Sequence, residues 1–125
     1  MIPNNYKDLV SYLYNKTINN ECYWNRTSSL YQYKLIMNTG MIVLSYISQQ
    51  TEEILKLEIY NKNGIMIDAI ACSRNIDSED YEYLYSLYNA IYQQKDVVTN
   101  QQINDFIYEI SNNQFVGKDE HKVTM

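Results

Sequence analysis

The spacing of apolar residues changes twice along this chain, and the order of these changes restricts the fold more than any other feature. Between Tyr6 and Thr17, apolar side chains recur at the three- and four-residue intervals of an amphipathic helix. From Leu30 to Cys72 they largely alternate with polar side chains, which is the two-residue period of β-strands. From Tyr81 the helical interval returns. The sequence therefore predicts an α+β domain in the order helix, strands, helices.

The middle of the chain predicts four antiparallel strands in two hairpins, at residues 30–37, 41–48, 54–60 and 65–72. In the first hairpin we expect Leu35 opposite Ile42 or Leu44. These pairings leave the apolar side chains of both strands on one face. The sheet is therefore predicted to present one face to a hydrophobic core.

The register of the second hairpin depends on the length of its loop. A two-residue loop ending at Gly64 sets Glu58 opposite Ala69, whereas a three-residue loop ending there sets Ile59 opposite Ile67. The longer loop keeps the apolar side chains together, and it places a glycine at the position that needs a left-handed backbone. We therefore predict the three-residue loop.

Two helices follow the predicted sheet. The first carries the strongest periodic signal in the chain, an apolar stripe of Tyr81, Leu84, Tyr85, Tyr88, Ile91 and Tyr92. We expect the tyrosines of this stripe to pack in the core. The second helix opens at Thr99, where Gln102 completes a capping box. Its stripe comprises Ile103, Phe106, Ile107 and Ile110.

The complete fold prediction is a helix, a four-stranded antiparallel meander and two C-terminal helices, αββββαα, in one domain over residues 1–115 with a flexible tail at 116–125. One sheet face is less polar than a solvated surface should be. Its apolar members are Ile36, Val43, Ile47, Tyr60, Met66 and Ile70. Either a helix of the same chain or a partner is expected to cover it, and a second copy would give a homodimer through the sheet face.

The sequence offers almost no residues for catalysis or metal binding. The single histidine, His121, lies in the predicted tail, where it would not be held near a substrate. Together with Cys22 and Cys72 it makes three zinc ligands, which are too few for a zinc site and are also widely spaced. The three glycines form no phosphate-binding loop. We expect no enzymatic activity, no metal and no cofactor. The two cysteines are expected to be reduced, small buried residues.

No apolar stretch approaches the length of about 18 residues that a membrane span needs, and the first residues are polar rather than typical of a secretory signal. A cytoplasmic protein without membrane association is therefore expected.

Charge is unevenly distributed along the sequence. Residues 1–76 carry seven Lys/Arg and six Asp/Glu, whereas residues 77–110 carry one lysine and seven Asp/Glu. An acidic surface repels phosphate backbones and attracts basic partners, so direct nucleic-acid binding is disfavoured. The simpler interpretation is that the negative charge only keeps the domain soluble.

The predicted partner-binding site combines these acidic residues with a tyrosine that lies off the apolar stripe. Tyrosine suits interfaces because its ring is apolar and its hydroxyl is polar. The chain has 14 tyrosines, which an AT-rich genome would also favour. The predicted site comprises Asp77, Glu79, Asp80, Glu82, Tyr83, Asp105 and Glu109.

The order of elements, with Trp24 before the sheet and Leu87-Tyr88 in the helix after it, resembles small acidic immunity and antitoxin proteins of bacterial toxin systems. The likeness covers architecture only and transfers no binding residue. We expect an inhibitor of the immunity, antitoxin or phage anti-defence kind that docks on a basic site of a target, for instance a nucleic-acid-binding protein or nuclease. The alternatives are a sensor holding a nucleotide or metabolite between the sheet and the tyrosine-rich helix, and a homodimeric scaffold.

Overall fold

The computed structural model describes residues 2–119, with the side chains of residues 95–99 excepted. As predicted, it is an α+β structure with an antiparallel meander sheet, whose strands lie in the order of the sequence. Its elements are α1 (Asn4–Ile18), β1 (Asn25–Arg26), β2 (Gln32–Met37), β3 (Gly40–Gln49), β4 (Glu52–Asn61), β5 (Met66–Ser73) and α2 (Ser78–Asn112).

The sheet of the described residues has five strands, so the predicted count of four is wrong. The additional strand is β1, in which Asn25 pairs with Lys34 and Arg26 pairs with Tyr33. Two polar residues are too short a segment to show an alternating pattern, which explains why the sequence did not reveal this strand.

The hairpin of β2 and β3 has Leu35 opposite Ile42, which is one of the two predicted pairings. Gly40 opens β3 at a point where the chain passes very close to β4. A Cβ atom on this glycine would lie 2.2 Å from the carbonyl oxygen of Tyr60. Only glycine fits this position without a shift of the backbone.

The loop between β4 and β5 has the predicted three residues. The Asn61 N–H donates to the Ile65 carbonyl oxygen at 2.9 Å and so closes the loop. Gly64 has a φ of +79°, the left-handed conformation expected for it. The Asn61 side chain also accepts from the N–H of Asn63 at 2.9 Å.

The strand register beyond this loop differs from the prediction. Ile59 pairs with Asp68 rather than with Ile67, and Tyr60 pairs with Met66. Ile67 is therefore an extra residue on β5, and the register shifts at this β-bulge. A bulge moves all following side chains to the opposite face.

The bulge improves the core at the expense of one exposed isoleucine. It sets Ile70 opposite Leu57 and Cys72 opposite Leu55, on the face that packs against the helices. Ile70 was predicted on the other face. Isoleucine and cysteine bury more apolar surface than the two alanines that alternate with them, whereas Ile67 is 61% exposed.

The core lies between one sheet face and both helices. Its fully buried leucines come from the central strands and from α2, and α1 contributes Val10 and Leu13. On the opposite face Val43 is buried, while Ile36 remains 61% exposed. Within residues 2–94 the core residues of both helices pack on the first face.

The segment between α1 and the sheet is attached through a buried threonine. Thr17 is 1% exposed, and its hydroxyl donates to the Leu13 carbonyl oxygen at 2.7 Å. The same oxygen accepts the indole N–H of Trp24 at 3.0 Å. This bond fixes the half-buried tryptophan against the end of α1.

Helical structure continues over Ser78–Asn112, where two helices were predicted. The absence of glycine and proline from residues 93–99 is consistent with this continuity. The described residues divide into two compact units, the first ending at Gln94 and the second beginning at Lys95. The predicted division into a domain at 1–115 and a tail stays a prediction, and His121 lies outside the described residues.

Candidate functional site

The first unit contains a cavity walled by tyrosines, where the first part of α2 lies near the hairpin of β3 and β4. Its volume is about 470 Å³, which is within the range of small-ligand sites. Its lining consists of Tyr31, Tyr46, Glu53, Arg74, Tyr81, Glu82, Tyr85, Tyr88, Asn89 and Tyr92.

Four of these tyrosines come from successive turns of α2, because their spacing places them on one helix face. Tyr81 and Tyr88 are buried, as predicted for the apolar stripe. Tyr85 and Tyr92 are 39% and 48% exposed, so their prediction as core residues is wrong. Tyr81 and Tyr88 of this stripe therefore pack in the core, whereas Tyr85 and Tyr92 line the open side of the cavity.

The sheet contributes the facing wall through the register of β3 and β4. Tyr46 pairs with Leu55, so Glu53, two residues before Leu55, points to the same face. Tyr31 reaches the cavity because its carbonyl oxygen accepts the Tyr46 N–H at 2.9 Å.

The aromatic rings form a continuous series around the cavity. The ring centroids of Tyr46 and Tyr88 are 5.8 Å apart, and those of Tyr85 and Tyr88 are 6.4 Å apart. Tyr81 and Tyr85 are stacked, with centroids 6.0 Å apart and an interplanar angle of 17°. Aromatic faces carry partial negative charge, so this wall is suited to flat or cationic groups.

A hydrogen-bonded ion pair lies at the sheet side of the cavity. One Glu53 carboxylate oxygen accepts the Tyr46 hydroxyl, and the other pairs with the Arg74 guanidinium, both at 2.5 Å. The Arg74 backbone N–H also donates to the Glu53 carbonyl oxygen at 2.9 Å. These three side chains hold one another in place.

Hydrogen bonding and burial shift the pKa values of three groups that line the cavity. The hydrogen bond to Glu53 raises the pKa of Tyr46 to about 12. Burial raises the pKa of Tyr88 well above its ordinary value. The hydrogen bond from Tyr46, followed by that from Arg74, lowers the pKa of Glu53. At neutral pH the phenols of Tyr46 and Tyr88 are therefore protonated and the Glu53 carboxylate is ionised.

Glu82 is the second carboxylate of the cavity, and its environment differs from that of Glu53. Among the described residues, its carboxylate makes no hydrogen bond or ion pair. The pKa of Arg74 is raised first by Glu53 and to a lesser degree by Glu82, which places Glu82 within electrostatic reach of the ion pair. With one arginine and two glutamates, the lining has a net charge of −1.

The predicted site residues of the first unit have different environments. Asp80 accepts the Ile2 N–H at 2.9 Å, and Asp77 accepts the Ser73 N–H at 3.4 Å. Glu79 is exposed at the start of α2. Of the predicted residues, Glu82 alone lines the cavity.

Tyr83, predicted as an interface residue, connects the two helices of the first unit. Its hydroxyl donates to the Lys7 carbonyl oxygen at 2.6 Å and contacts the Ser11 hydroxyl. Its ring packs against the core. The hydroxyl is therefore satisfied within the chain.

The remaining predicted residues, Asp105 and Glu109, lie in the second unit at exposed positions. The apolar stripe of this unit is exposed as well, at 46% for Ile103 and 60% for Ile110. The structure thus places the predicted acidic residues in two separate units.

Five cavity residues were missed by the sequence reasoning, namely Tyr31, Tyr46, Glu53, Arg74 and Asn89. They are far apart in the sequence, and no local motif connects them. The one available signal was the hairpin of the second and third predicted strands, since a pairing across it brings Tyr46 and Glu53 to one face.

Neither cysteine lines this cavity. Cys72 is buried, as predicted, and Cys22 is half-buried; both are free thiols. Burial raises the pKa of Cys72 to about 11, so its thiol is protonated at neutral pH. Over residues 2–119, groups of three or more His, Cys, Asp or Glu suited to a metal are absent. The helices described here include none with the length and apolar character to cross a membrane.

Comparison with protein-family models, with curated proteins and with solved structures finds no significant match to this chain.

Proposed function

We propose that this chain is a non-enzymatic intracellular inhibitor, of the immunity, antitoxin or phage anti-defence kind, that docks on a basic surface of another protein. One observation carries the proposal. The Glu82 carboxylate, which pairs with no group of the described residues, lies where the acidic start of α2 meets the tyrosine-walled cavity. A charged attachment point and an aromatic pocket therefore coincide.

The acidic start of α2 supports a basic partner through its long-range field. Four carboxylates occur between Asp77 and Glu82, with no basic residue among them. Such a cluster raises the rate of encounter with a positively charged surface, and added salt weakens the effect. A surface that normally holds nucleic acid, as on a nuclease, has this positive charge.

The cavity supplies what a charged patch alone lacks, which is a place to bury an anchor residue. Interfaces derive most of their affinity from a few side chains buried in pockets, and tyrosine is enriched at such points. Tyr85 and Tyr92 are partly exposed beside buried Tyr88, so the pocket is open to an incoming side chain. The contact is therefore centred on Glu82 and these rings.

The test is affinity capture from a lysate of the source cell at low salt, followed by mass spectrometry. Bait carrying Glu79→Gln and Glu82→Gln is compared with wild type. A control bait carries Asp8→Asn and Glu21→Gln, which remove the same charge from exposed positions outside the cavity. We expect the first pair to lose a basic partner that the control retains. Equal recovery by all three baits would contradict the proposal.

The cavity also favours a second candidate, a domain that senses or sequesters a small molecule such as a nucleotide or metabolite. Its volume of about 470 Å³ and its few polar groups are typical of ligand sites. Thermal-shift screening against nucleotides and metabolites distinguishes the two, because a tightly bound ligand raises the unfolding temperature by mass action. A Glu82-independent shift with a neutral metabolite would favour this candidate.

A further inference from the structure

We propose that the cavity binds the guanidinium group of an arginine side chain presented by the basic partner. This inference deepens the proposed function and rests on it. It specifies which side chain of a basic surface enters the cavity and which carboxylate receives it.

The charges of the lining favour a cation at one particular place. Both oxygens of Glu53 are already used by Tyr46 and Arg74. Glu82 carries the remaining negative charge and is exposed at the cavity wall. An incoming cation that pairs with Glu82 completes the charge balance of the lining without breaking the existing ion pair.

The shape of the aromatic wall favours guanidinium over ammonium. Guanidinium is planar, stacks on aromatic faces and presents paired N–H donors to a carboxylate. Tyr81 and Tyr88 are buried, but Tyr85 and Tyr92 are 39% and 48% exposed, so these two rings of the lining are open to a planar group. An ammonium group gains the attraction to the rings but lacks the flat surface and the paired donors.

The structure already contains one guanidinium in this environment. Arg74 lies in the cavity lining, where its guanidinium Nη1 donates to a Glu53 carboxylate oxygen. A second guanidinium would be repelled by Arg74 unless a further carboxylate offset that charge. Glu82 is the cavity residue that can do so, and the proposal therefore depends on it.

The test uses N-acetyl-arginine amide as the probe, with N-acetyl-citrulline amide as its uncharged isostere and N-acetyl-lysine amide as the ammonium equivalent. Binding is followed by the NMR signals of the tyrosine rings during titration into the intact chain. We expect saturable shifts with the arginine probe and an affinity for citrulline at least about tenfold lower, because citrulline loses both the charge-assisted pair with Glu82 and the attraction of a cation to the rings. The lysine probe is expected to bind more weakly than arginine.

Two matched variants locate the contact. Glu82→Gln is expected to weaken arginine binding by about two- to fivefold, the upper part of the range for an exposed charge pair. Glu79→Gln removes the same charge one helical turn earlier, outside the cavity lining, and is expected to change affinity by less than about twofold. Amide spectra of both variants verify that they remain folded.

Equal binding of arginine and citrulline, equal effects of the two variants, or no ring shifts at millimolar probe would overturn the inference. Its failure is distinguishable from that of the proposed function. If a basic protein is captured and depends on Glu82 while the arginine probe does not bind, the guanidinium assignment is wrong but the docking proposal stands. If the probe binds and no basic protein is captured, the docking proposal fails.

Discussion

Replacing Thr17 by valine should destabilise the first unit much more than the loss of one exposed hydroxyl would. Valine keeps the shape of threonine, but it removes the oxygen that accepts the indole N–H of Trp24. Thr17 is 1% exposed, so water does not readily take the place of that oxygen. An unsatisfied donor in such a place costs about 1–3 kcal/mol. The hydrogen bond that Thr17 donates to the Leu13 carbonyl oxygen is lost as well. We therefore expect the free energy of unfolding to fall by about 2 kcal/mol, the middle of this range.

A double-mutant cycle isolates the hydrogen bond. Trp24→Phe removes the donor, and in the double variant both partners are apolar, so no unsatisfied group remains. We expect the summed losses of unfolding free energy in the two single variants to exceed the loss in the double variant by about 1 kcal/mol. Urea unfolding followed by circular dichroism measures all four proteins, since the chain has a single tryptophan and its fluorescence is lost with Trp24. Additive losses would refute the reasoning.

Three further predictions concern the sheet and its ion pair. Gly40→Ala should lower the free energy of unfolding in urea by at least about 2 kcal/mol, because its Cβ would overlap a backbone oxygen. Gly64→Ala should lower it by only about 1 kcal/mol, the cost of a φ of +79° for alanine. A larger loss for Gly64→Ala than for Gly40→Ala would disprove the close approach at Gly40. Leu44→Ala should cost about 2–5 kcal/mol in the same assay, since Leu44 is 0% exposed, and a cost below 1 kcal/mol would count against its central place in the core. The pKa of Glu53 is lower in the folded protein than its ordinary value of 4.5, so Glu53 should stabilise the fold fully above pH 4.5 and lose this effect as the pH falls through its folded pKa. Glu53→Gln should therefore make the decline of stability below about pH 4.5 less steep. An unchanged slope would show that Glu53 does not contribute.

The periodic parts of the sequence predicted the fold well. Helical spacing identified α1 and the start of α2, and alternation identified β2 to β5 with boundaries close to those observed. The spacing of apolar residues shows which side chains share a face, and burial of that apolar face determines whether a segment forms a helix or a strand. The pairing of Leu35 with Ile42 followed from the same principle.

The failures occurred where more than local pattern decides the structure. The register of β5 depends on a bulge at Ile67, and this bulge is favoured because it brings Ile70 and Cys72 into the core. The strand at Asn25–Arg26 forms because β2 offers a free edge, which two polar residues do not reveal. Continuity of α2 through residues 93–99 was missed because Thr99 and Gln102 matched a capping box.

The candidate site was predicted only in part. Glu82 was among the predicted residues and lines the cavity. Its sheet-side partners, such as Tyr46 and Glu53, come together through strand pairing and could not be connected by a motif. Tyr83 was chosen because it lies off the apolar stripe, but α1 approaches that side of α2 and engages its hydroxyl. Helical periodicity alone gives the faces of a helix without saying which neighbours they meet.

The central claim is that Glu82 and the tyrosine cavity, rather than negative charge in general, receive a cationic group. The most direct measurement compares the affinity of Glu82→Gln and Glu79→Gln for the captured basic partner, by isothermal titration calorimetry. The account predicts about a two- to fivefold loss for Glu82→Gln and less than about a twofold loss for Glu79→Gln. Equal losses for the two variants, or none for either, would contradict it.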